Sequence, residues 1–402
     1  MYFGDSSMSF LERAWAEIDV DACLYNLQQI KKASDRRGIM AIVKADAYGH
    51  GAVVLSKIYE KNGVDWLAVS NIEEAIQLRN NGIELPILIL GYTPPRYARE
   101  LHKFNISQAL FDTTYAHSLS EEAVKANVIV KVHLKLDTGM GRIGFDFRSE
   151  TDIDHSADLV TEAASLPSLE TEGVFMHFAT ADLDSDPNAE FAEAQYSRFC
   201  KAIDTLKSRG INPKLIHCCN SAATLLQPSD RGNLTRPGII LYGMTPSAGL
   251  NLSVNLKPVM SLKTVVSMIK QIDTDEYVGY GRTFKSEKPM TVATLPVGYG
   301  DGYPRHLSNC GKVLVGGKVA NIVGRVCMDQ TIIDISEIDN VHVGQEVILI
   351  GSDGQNSVTA DDIATICETI NYEVTCNISK RVARIYKQNG KVVFEDNNIL
   401  NS

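Results

Sequence analysis

The segment VKADAYGHG, residues 43–51, places a lysine, a tyrosine and a histidine beside two glycines. The apolar run IMAI precedes it, so Lys44 is expected at the end of a buried strand. An amine at the wall of an apolar core is partly desolvated, which favours its neutral form, and it can condense with a carbonyl to form a Schiff base. The two glycines, Gly49 and Gly51, allow the backbone to turn closely around a ligand.

Other residues able to bind or react follow further apolar runs along the chain. They are Lys135, Asp137, Arg142, His177, Asn220, Ser221, Arg236 and Gly238. Cationic side chains and a serine at a helix start favour an anionic ligand, and a lysine favours one that carries a carbonyl group. Pyridoxal 5'-phosphate has both an aldehyde and a phosphate, so it is the predicted cofactor.

The apolar runs themselves predict the elements that position these residues. They alternate with amphipathic stretches and lie at 39–44, 66–70, 86–91, 107–111, 128–137, 171–178, 214–220 and 235–243. Strands alternating with helices in this way form a parallel sheet covered on both faces, and eight such units fit a TIM-type (β/α)8 barrel. An open doubly wound sheet is the alternative. In a barrel, reactive side chains lie at the carboxyl ends of the strands, where the residues above fall.

Two helices of the predicted barrel carry clear boundary signals. Asn71 is a candidate N-cap for a helix with Glu74 in its first turn. Asp186 and Pro187 are expected to open a longer helix, which Gly210 closes. Both helices follow apolar runs, as the alternation of strands and helices requires.

The pattern changes after about residue 256, where polar and apolar side chains alternate. This alternation predicts β-strands with one buried face. Gly316 and Gly317 indicate a hairpin turn. Only residues 359–370 are predicted to be helical, with Thr359 as the cap.

The length of 402 residues favours about two to three domains. The predicted class is α/β, with an N-terminal barrel over residues 11–256 that binds pyridoxal phosphate. A C-terminal, mostly β domain is predicted over residues 257–402. Residues 1–10 are a candidate addition to that second domain.

Composition and charge exclude several classes of protein. The chain has 39 basic and 49 acidic residues and a net charge of −10, whereas nucleic-acid-binding domains are usually basic. No apolar run is long enough to cross a bilayer, and the first residues lack the pattern of a secretory signal. The eight cysteines include no C-x-x-C pair, so they are expected to be reduced thiols. We therefore expect a cytoplasmic protein without metal, nucleic-acid or membrane partners.

The segment GMGRIG, residues 139–144, matches the G-x-G-x-x-G pattern of dinucleotide-binding sites and follows a predicted strand. The next residues, FDFRSETDID, lack the helix whose N-terminus would bind a pyrophosphate. We therefore reject a dinucleotide site at this position.

Six motifs, in one order and through nearly the whole chain, resemble those of alanine racemases. They are VKADAYGHG, HCCNSAA, RPGIILYG, VGYGDGYPR, GRVCMDQ and NYEV. Alanine racemases are pyridoxal-phosphate enzymes built from a barrel and a β domain. The resemblance implies that Lys44 forms the Schiff base with the cofactor and then acts as one of two bases. It also implies a cofactor site, with its phosphate contacts, formed by Tyr48, Asn220, Ser221, Gly238, Ile239 and Tyr372.

Arg236 matches the arginine that faces the pyridine nitrogen of the cofactor. A guanidinium keeps its proton, so the ring nitrogen stays unprotonated and the ring is a weaker electron sink. This suits a racemase, which has to return a proton to Cα and avoid transamination. His177 and His217 match the histidines that support this arginine, although a histidine in a barrel strand is more often a core residue.

Arg142 matches an arginine near the phenolic oxygen of the cofactor and the substrate carboxylate. Lys135 matches a lysine that is carbamylated in many members of the family. The carbamate would be an anion able to hold Arg142. An ordinary ion pair between Lys135 and Asp137 is the alternative.

Tyr280 matches the second base, and a tyrosine needs nearby positive charge to act as a base at neutral pH. In the family this tyrosine reaches the active site of the other subunit. The methionine and the acid that match Met328 and Asp329 do the same, and Met328 is assigned with Arg142 to substrate binding. The resemblance therefore implies a head-to-tail homodimer.

The implied function is the interconversion of L-alanine and D-alanine by a two-base reaction on the external aldimine, which supplies D-alanine for peptidoglycan. Lys44 would act on the D-substrate and Tyr280 on the L-substrate. A pyridoxal-phosphate carrier is one alternative, but it would not need Tyr280 and Met328. A decarboxylase of the same architecture usually has a carboxylate where Arg236 stands. A serine or broad-specificity racemase stays open, because the pocket around Met328 and Tyr372 sets the substrate.

Overall fold

The structure, a computed structural model, describes residues 12–35, 37–149, 151–182, 185–226, 230–247, 249–252 and 254–400. They form two compact units, one within residues 24–256 and one made of residues 12–23 and 257–400. The predicted domains, 11–256 and 257–402, differ from this division over residues 12–23. These residues lie in the second unit because their strand pairs with two strands of its sheet. The prediction for residues 1–10 falls outside the described residues.

The chain begins with strand β1 (Ala14–Asp19) of the second unit and helix α1 (Val20–Ser34). The strands of the barrel unit are β2 (Gly38–Ile42), β3 (Trp66–Val69), β4 (Ile87–Ile89), β5 (Ile106–Leu110), β6 (Val130–Asp137), β7 (Phe145–Asp146), β8 (Leu169–Phe175), β9 (Leu215–His217) and β10 (Leu234–Thr235). Its helices are α2 (Lys44–Tyr48), α3 (Ala52–Lys61), α4 (Ile72–Asn80), α5 (Ala98–Lys103), α6 (Thr113–Ala126), α7 (Ile153–Ala164), α8 (Asp186–Ser208) and α9 (Ser221–Leu226), with 3-10 helices at Pro95–Tyr97 and Ile239–Tyr242.

Eight parallel strands follow one another in the order β10, β2, β3, β4, β5, β6, β8 and β9, and β7 pairs with β6. Main-chain hydrogen bonds link the two ends of this order. The Asn233 N–H donates to the Ile216 carbonyl at 2.9 Å, and the Arg236 N–H donates to the Cys219 carbonyl at 2.8 Å. The sheet is therefore a nearly closed barrel, which confirms the TIM-type prediction against an open doubly wound sheet.

The predicted helix boundaries in the barrel are confirmed. Asn71 Oδ1 accepts the Glu74 N–H at 2.9 Å, as an N-cap does. Pro187 lies in the first turn of α8. Gly210, just after this helix, has a φ of 86°, a left-handed value that ends a helix at little cost for glycine.

The last barrel strand is shorter than its apolar run predicts. The sequence predicts a strand over residues 235–243, but only Leu234 and Thr235 pair with β2. Pro237 lacks the N–H that a longer ladder would need. The prediction of a long eighth strand is therefore wrong, and Gly238 instead precedes a 3-10 helix.

The second unit is mostly β, as predicted. Besides β1 its strands are β11 (Met260–Val265), β12 (Met268–Ile272), β13 (Tyr277–Val278), β14 (Phe284–Lys285), β15 (Met290–Leu295), β16 (Lys312–Val315), β17 (Lys318–Ile322), β18 (Thr331–Asp334), β19 (Glu346–Asp353), β20 (Asn356–Val358), β21 (Ala383–Gln388) and β22 (Lys391–Asp396). Its helices are α10 (Ala360–Ile366) and α11 (Asn371–Cys376), with 3-10 helices at Tyr280–Arg282, Tyr299–Asp301 and Arg305–Leu307. The main sheet runs β12, β15, β18, β17, β16, β19, β11, β1, β21, β22, and β1 lies antiparallel to β11 and parallel to β21.

Two of the local predictions for this unit are confirmed and one is wrong. Gly316 and Gly317, with φ of 55° and 76°, form the hairpin turn between β16 and β17. Thr359 caps α10. The single helix predicted over 359–370 ends early, because Glu368 takes a left-handed φ of 53°. The next helix, α11, was not predicted, and it carries one of the predicted site residues.

None of the described helices is both long enough and apolar enough to cross a bilayer. Within the same residues, no group of three or more histidine, cysteine, aspartate or glutamate side chains is placed to bind a metal. The eight cysteines are free thiols.

Candidate active site

Lys44 opens a left-handed turn at the carboxyl end of β2. The next four residues, Ala45 to Tyr48, all have φ between 50° and 55°. This region costs an L-residue about 1–2 kcal/mol. The sequence predicts that Gly49 and Gly51 make the turn, but in the structure most of it is made by residues with side chains. Backbone strain of this kind is typical of functional sites, where surrounding contacts maintain it.

The carboxylate of Glu74 holds the start of this turn. Its Oε1 accepts the Ala45 N–H at 2.7 Å, and its Oε2 accepts the Ser70 N–H at 2.7 Å. Glu74 therefore connects the end of β3 to the residue that follows Lys44. The sequence predicts Glu74 only as an acid in the first turn of α4, not as the residue that holds this turn. The sequence signal for this role was the position of Glu74 in the first turn of α4, shortly after the end of β3.

Tyr48, Ser221 and Gly238 lie together in the barrel. Ser221 Oγ accepts the Gly238 N–H at 2.9 Å. A Cβ on Gly238 would lie 2.7 Å from Tyr48 Oη, so this position has no room for a side chain. Ile239 follows at the start of the 3-10 helix. Hydroxyl groups and main-chain N–H groups at helix starts are donors that suit a phosphate, so these residues fit that part of pyridoxal phosphate.

Asn220 supports this group from the position before it. Its Oδ1 accepts the Ala223 N–H at 3.0 Å, and its carbonyl accepts the Thr224 N–H at 2.8 Å. The side chain of Asn220 therefore caps α9, which Ser221 opens. A part for Asn220 in cofactor binding stays a prediction.

Arg236 is 3% exposed and is held from several sides. Nη1 donates to His217 at Nδ1 (3.1 Å) and at the carbonyl (2.7 Å). Nη2 donates to the Met176 carbonyl at 2.8 Å and to His177 Nδ1 at 3.2 Å. No carboxylate among the described residues is hydrogen bonded to this guanidinium. Burial lowers the pKa of Arg236 to about 10, so the group stays protonated at neutral pH.

His177 and His217 act as neutral acceptors for this arginine. Burial, followed by the charge of Arg236, lowers the pKa of both imidazoles well below its ordinary value. Each uses Nδ1 as the acceptor. His217 also stacks on Phe175 with 4.8 Å between ring centroids. The structure thus brings the three residues together, as the sequence predicts.

Lys135 is buried, and its Nζ donates to the Leu136 carbonyl at 2.8 Å. Burial and the charge of Arg236 lower the pKa of Lys135 to about 7. Asp137 Oδ1 accepts the N–H groups of Gly139 and Gly141, each at 3.0 Å. Among the residues that the structure covers, no ion pair joins Lys135 to Asp137, although the charge of Asp137 acts to raise the pKa of Lys135, so both readings of this lysine stay predictions.

Two family models match most of this chain. The model described as "Alanine racemase, N-terminal domain" matches residues 18–246, and "Alanine racemase, C-terminal domain" matches residues 259–386. The chain belongs to the alanine racemase family. Enzymes of this family depend on pyridoxal phosphate, so the predicted family and cofactor are confirmed.

Individual relatives of this racemase family match over almost their full length. The alanine racemase of Clostridium tetani is 46% identical over 95% of this chain and 97% of its own. A solved structure of the alanine racemase of Clostridium difficile 630 has 39% identity and a TM-score of 0.90, and it covers 96% of this chain and 99% of its own. A histidine racemase from Leuconostoc mesenteroides has 29% identity and a TM-score of 0.83, over 94% of this chain and 99% of its own.

Most of the remaining predicted residues of this racemase lie in the second unit. Tyr280 is 71% exposed and Met328 is 53% exposed. Asp329 is also exposed, and its Oδ1 accepts from Arg381 Nη2 at 2.7 Å. Tyr372 lies within α11, where it is partly buried. Arg142, in the barrel unit, is exposed in the loop after β6.

The backbone around Met328 is fixed by a neighbouring loop that was not among the predicted site residues. The Tyr299 N–H donates to the Cys327 carbonyl at 3.0 Å, and the Gly300 N–H donates to the Met328 carbonyl at 2.8 Å. A Cβ on Gly298 would lie 2.1 Å from the Cys327 carbonyl oxygen. The glycines of VGYGDGYPR are therefore needed for this close approach, and they were the signal available in the sequence.

Proposed function

We propose that this chain interconverts L-alanine and D-alanine, with Lys44 and Tyr280 as the two bases. The setting of Arg236 is the observation that supports this most strongly. A buried cation is held by two neutral histidines and main-chain carbonyls, in the same barrel as Lys44 and the phosphate-binding residues. A decarboxylase of this architecture would be expected to have a carboxylate there.

When bound, pyridoxal phosphate supplies an aldehyde for the substrate amine and a ring that withdraws electrons from Cα. The Lys44 amine removes or returns the Cα proton on one face, and the Tyr280 phenol does so on the other. Lys44 acts on D-alanine and Tyr280 on L-alanine, so removal by one and return by the other inverts the centre. With the cofactor bound, Arg236 would face its ring nitrogen and keep its own proton, which would make the ring a weaker electron sink. Arg142 and Met328 bind the substrate, Arg142 through its carboxylate.

The active enzyme is proposed to be a head-to-tail homodimer, in which Tyr280, Met328 and Asp329 of one subunit serve the barrel of the other. The exposure of Tyr280 and Met328 supports this, since a base and a substrate contact work best when covered. Size-exclusion chromatography with light scattering should give twice the chain mass of 44.1 kDa. A mass of one chain in the active preparation would contradict the dimer.

Lys135 is proposed to carry a carbamate that holds Arg142. With its pKa lowered to about 7, much of the amine is neutral at physiological pH and can add carbon dioxide. Because the neutral fraction grows as the pH rises, the carbamate should increase between about pH 6 and about pH 8. Carbon-13 NMR after addition of labelled bicarbonate would show it, and Lys135→Gln should remove the signal. A wild-type spectrum without that signal contradicts this part of the proposal.

The D-alanine formed is proposed to supply cell-wall peptidoglycan from a cytoplasmic enzyme. Membership of the family supports both statements. Expression in a bacterium that requires D-alanine should restore growth, and fractionation should place the activity in the cytoplasm. Growth that still depends on added D-alanine would contradict this role.

Incubation of the pure holoenzyme with L-alanine or L-serine, followed by chiral chromatography, tests the reaction and its substrate. We expect D-alanine to form much faster than D-serine. Equal rates would favour a broad-specificity enzyme, and the histidine racemase among the structural neighbours makes L-histidine a useful third substrate. No D-product from any substrate would leave a carrier as the better account.

Borohydride reduction tests the predicted Schiff-base lysine. Lys44→Ala should abolish the reducible adduct and the activity, because no other amine opens the turn at the end of β2. Lys57→Ala, which changes an exposed lysine on α3, serves as the control and should leave both unchanged. An adduct that persists in Lys44→Ala would point to a different lysine.

A further inference from the structure

A row of polar groups continues from Arg236 into the barrel interior. His217 uses Nδ1 toward Arg236, and its Nε2 lies 2.9 Å from His133 Nδ1. His133 Nε2 in turn faces Glu172 Oε2 at 3.7 Å, an electrostatic contact beyond hydrogen-bond distance, and no described residue is hydrogen bonded to this nitrogen. Both imidazoles are fully buried, and Glu172 is half-buried. Four residues at or beside β10, β9, β6 and β8 therefore form one connected row.

The two ends of the row determine where its protons lie. A guanidinium only donates, so His217 Nδ1 has to be the acceptor, and the proton of a neutral His217 is on Nε2. That proton points at His133 Nδ1, which leaves the proton of His133 on Nε2, facing Glu172. Burial lowers the pKa of both histidines, so each ring has one donor and one acceptor. An ionised carboxylate only accepts, and it matches the direction set by Arg236.

The pairing of β6 with β8 is irregular next to His133. Thr171 pairs with Val132 and Gly173 pairs with His133, so Glu172 is the extra residue of an irregularity in β8. Such a bulge redirects a side chain from its regular place. A Cβ on Gly173 would lie 2.5 Å from His133 Nδ1, so only glycine leaves room for this imidazole.

Glu172 is held as a carboxylate by groups on the neighbouring strands. Ser107 Oγ, on β5, donates to it at 2.5 Å, and Lys131 Nζ, on β6, lies 3.5 Å away. Burial acts to raise the pKa of Glu172, but the nearby imidazole of His133, the hydrogen bond from Ser107 and the charge of Lys131 outweigh it, so the pKa is lowered. Trp66 packs edge-on against His133 with 5.2 Å between centroids and adds no further charge.

We propose that Glu172 is a positioning residue for racemisation, acting through His133 and His217 to keep His217 Nδ1 an acceptor for Arg236. This inference depends on the proposed function only in that Arg236 faces the cofactor ring. In the reversed form of the two neutral imidazoles, the His217 Nε2 proton has moved to His133 Nδ1, the His133 Nε2 proton has left at the Glu172 end, and His217 Nδ1 has taken up a proton, so the total is unchanged. Without the charge of Glu172, the reversed form points the Nδ1–H of His217 at a donor, and Arg236 loses an acceptor that orients it.

Three variants of the holoenzyme separate charge from shape. Glu172→Gln keeps the size of the side chain and removes its charge, whereas Glu172→Asp keeps the charge. Glu170→Gln makes the same charge change at an exposed position of β8 and is the control. The proton positions of His133 and His217 are measured by nitrogen-15 NMR of histidine-labelled protein, and alanine racemisation is measured on the same samples.

In the wild type we expect both rings to be neutral and protonated on Nε2. Glu172→Gln should show His217 protonated on Nδ1 and a kcat about ten-fold lower, with little change in KM, because Arg236 acts after binding. Glu172→Asp and Glu170→Gln should retain the wild-type spectrum and kcat. A purely structural role for Glu172 would lower the yield of folded protein without moving these proton positions.

Two results would overturn the inference. One is a wild-type spectrum with His217 protonated on Nδ1, which needs no variant. The other is a Glu172→Gln enzyme with unchanged proton positions and kcat. If Glu172→Gln does not fold, Ser107→Ala weakens the hold on Glu172 and should shift His217 in the same direction, and no shift counts against the proposal. A wild type that fails to racemise alanine contradicts the proposed function, while the spectrum still decides the inference.

Discussion

The barrel and the second unit present their predicted site residues in opposite ways. In the barrel, Arg236, Lys135 and Ser221 are buried and hydrogen bonded, Arg236 and Ser221 to neighbouring segments and Lys135 to the next carbonyl of its own strand. In the second unit, Tyr280 and Met328 are mostly exposed. The difference supports the proposal that the barrel binds the cofactor within one chain, whereas Tyr280, the proposed second base, serves the site of another subunit.

The backbone around the exposed residues of the second unit is nevertheless fixed by hydrogen bonds and ion pairs. The main chain at Met328 is hydrogen bonded to the loop that contains Gly300, and Asp329 is paired with Arg381. Asp301, buried in the same unit, pairs with Arg13 at 2.5 Å and lies 3.6 Å from Arg381. A surface with a fixed backbone and exposed side chains is what a subunit needs when it completes the site of another.

The largest effect is expected from the exposed base. Tyr280→Phe should lower racemisation by about 100- to 10,000-fold, because it removes one of two proton-transferring groups. The absorbance of the bound cofactor should be unchanged, since the barrel binds it. Tyr277→Phe, on the neighbouring exposed tyrosine, is the control and should retain activity. Unchanged turnover in Tyr280→Phe would remove this residue from the mechanism.

A stability difference should separate buried from exposed cations in the barrel. Arg236→Gln leaves carbonyls and imidazoles without their donor in a buried place, so the free energy of unfolding should fall by about 3 kcal/mol. Arg148→Gln, in an exposed pair with Asp146, should leave the free energy of unfolding nearly unchanged. Urea unfolding measures both. If both variants lose the same free energy of unfolding, the hydrogen bonds of Arg236 do not contribute to the stability of the protein.

A smaller effect is expected where the barrel holds the left-handed turn. Glu74→Ala removes the acceptor of two main-chain N–H groups, so stability should fall by about 1–2 kcal/mol and kcat by about ten-fold. Glu73→Ala changes an exposed acid one residue earlier and should be nearly neutral. If the two variants behave alike in urea unfolding and in kinetics, Glu74 does not position Lys44.

The smallest effect is expected in the second unit. Arg381→Gln breaks an ion pair with Asp329 in which both side chains are substantially exposed, and such pairs contribute at most about 1 kcal/mol. A rise of about three-fold in KM for alanine is expected, with kcat nearly constant. Lys380→Gln is the exposed control next to it. A large loss of kcat in Arg381→Gln would show that the second unit orients the chemistry more strongly than its exposure suggests.

Local signals explain how much of this fold could be predicted. Asn71 and Thr359 are caps that act within one turn, and Gly316 with Gly317 fits only a tight hairpin, so sequence alone identified them. The alternation of apolar strand runs with amphipathic helices is also a local pattern, so it identified the barrel. The prediction of a long eighth strand failed because Pro237 has no N–H to donate to a strand ladder, whatever the β preference of the apolar residues around it.

Features that depend on distant contacts could not be predicted in this way. Four left-handed residues after Lys44 contradict the preference of each residue, and Glu74 and the barrel wall hold them in place. The row from Arg236 to Glu172 joins strands far apart in sequence, and it depends on a bulge that no local pattern marks. The motifs identified which residues matter, but not which neighbours hold them.

Mixing two inactive variants tests the central claim most directly. Lys44→Ala and Tyr280→Phe proteins are unfolded together, refolded with pyridoxal phosphate and assayed for alanine racemisation. If each site combines Lys44 of one chain with Tyr280 of the other, each mixed dimer has one intact site. Random reassortment should then restore about one quarter of the wild-type activity. No recovery, in a mixture shown to contain mixed dimers, would contradict two bases contributed by two chains.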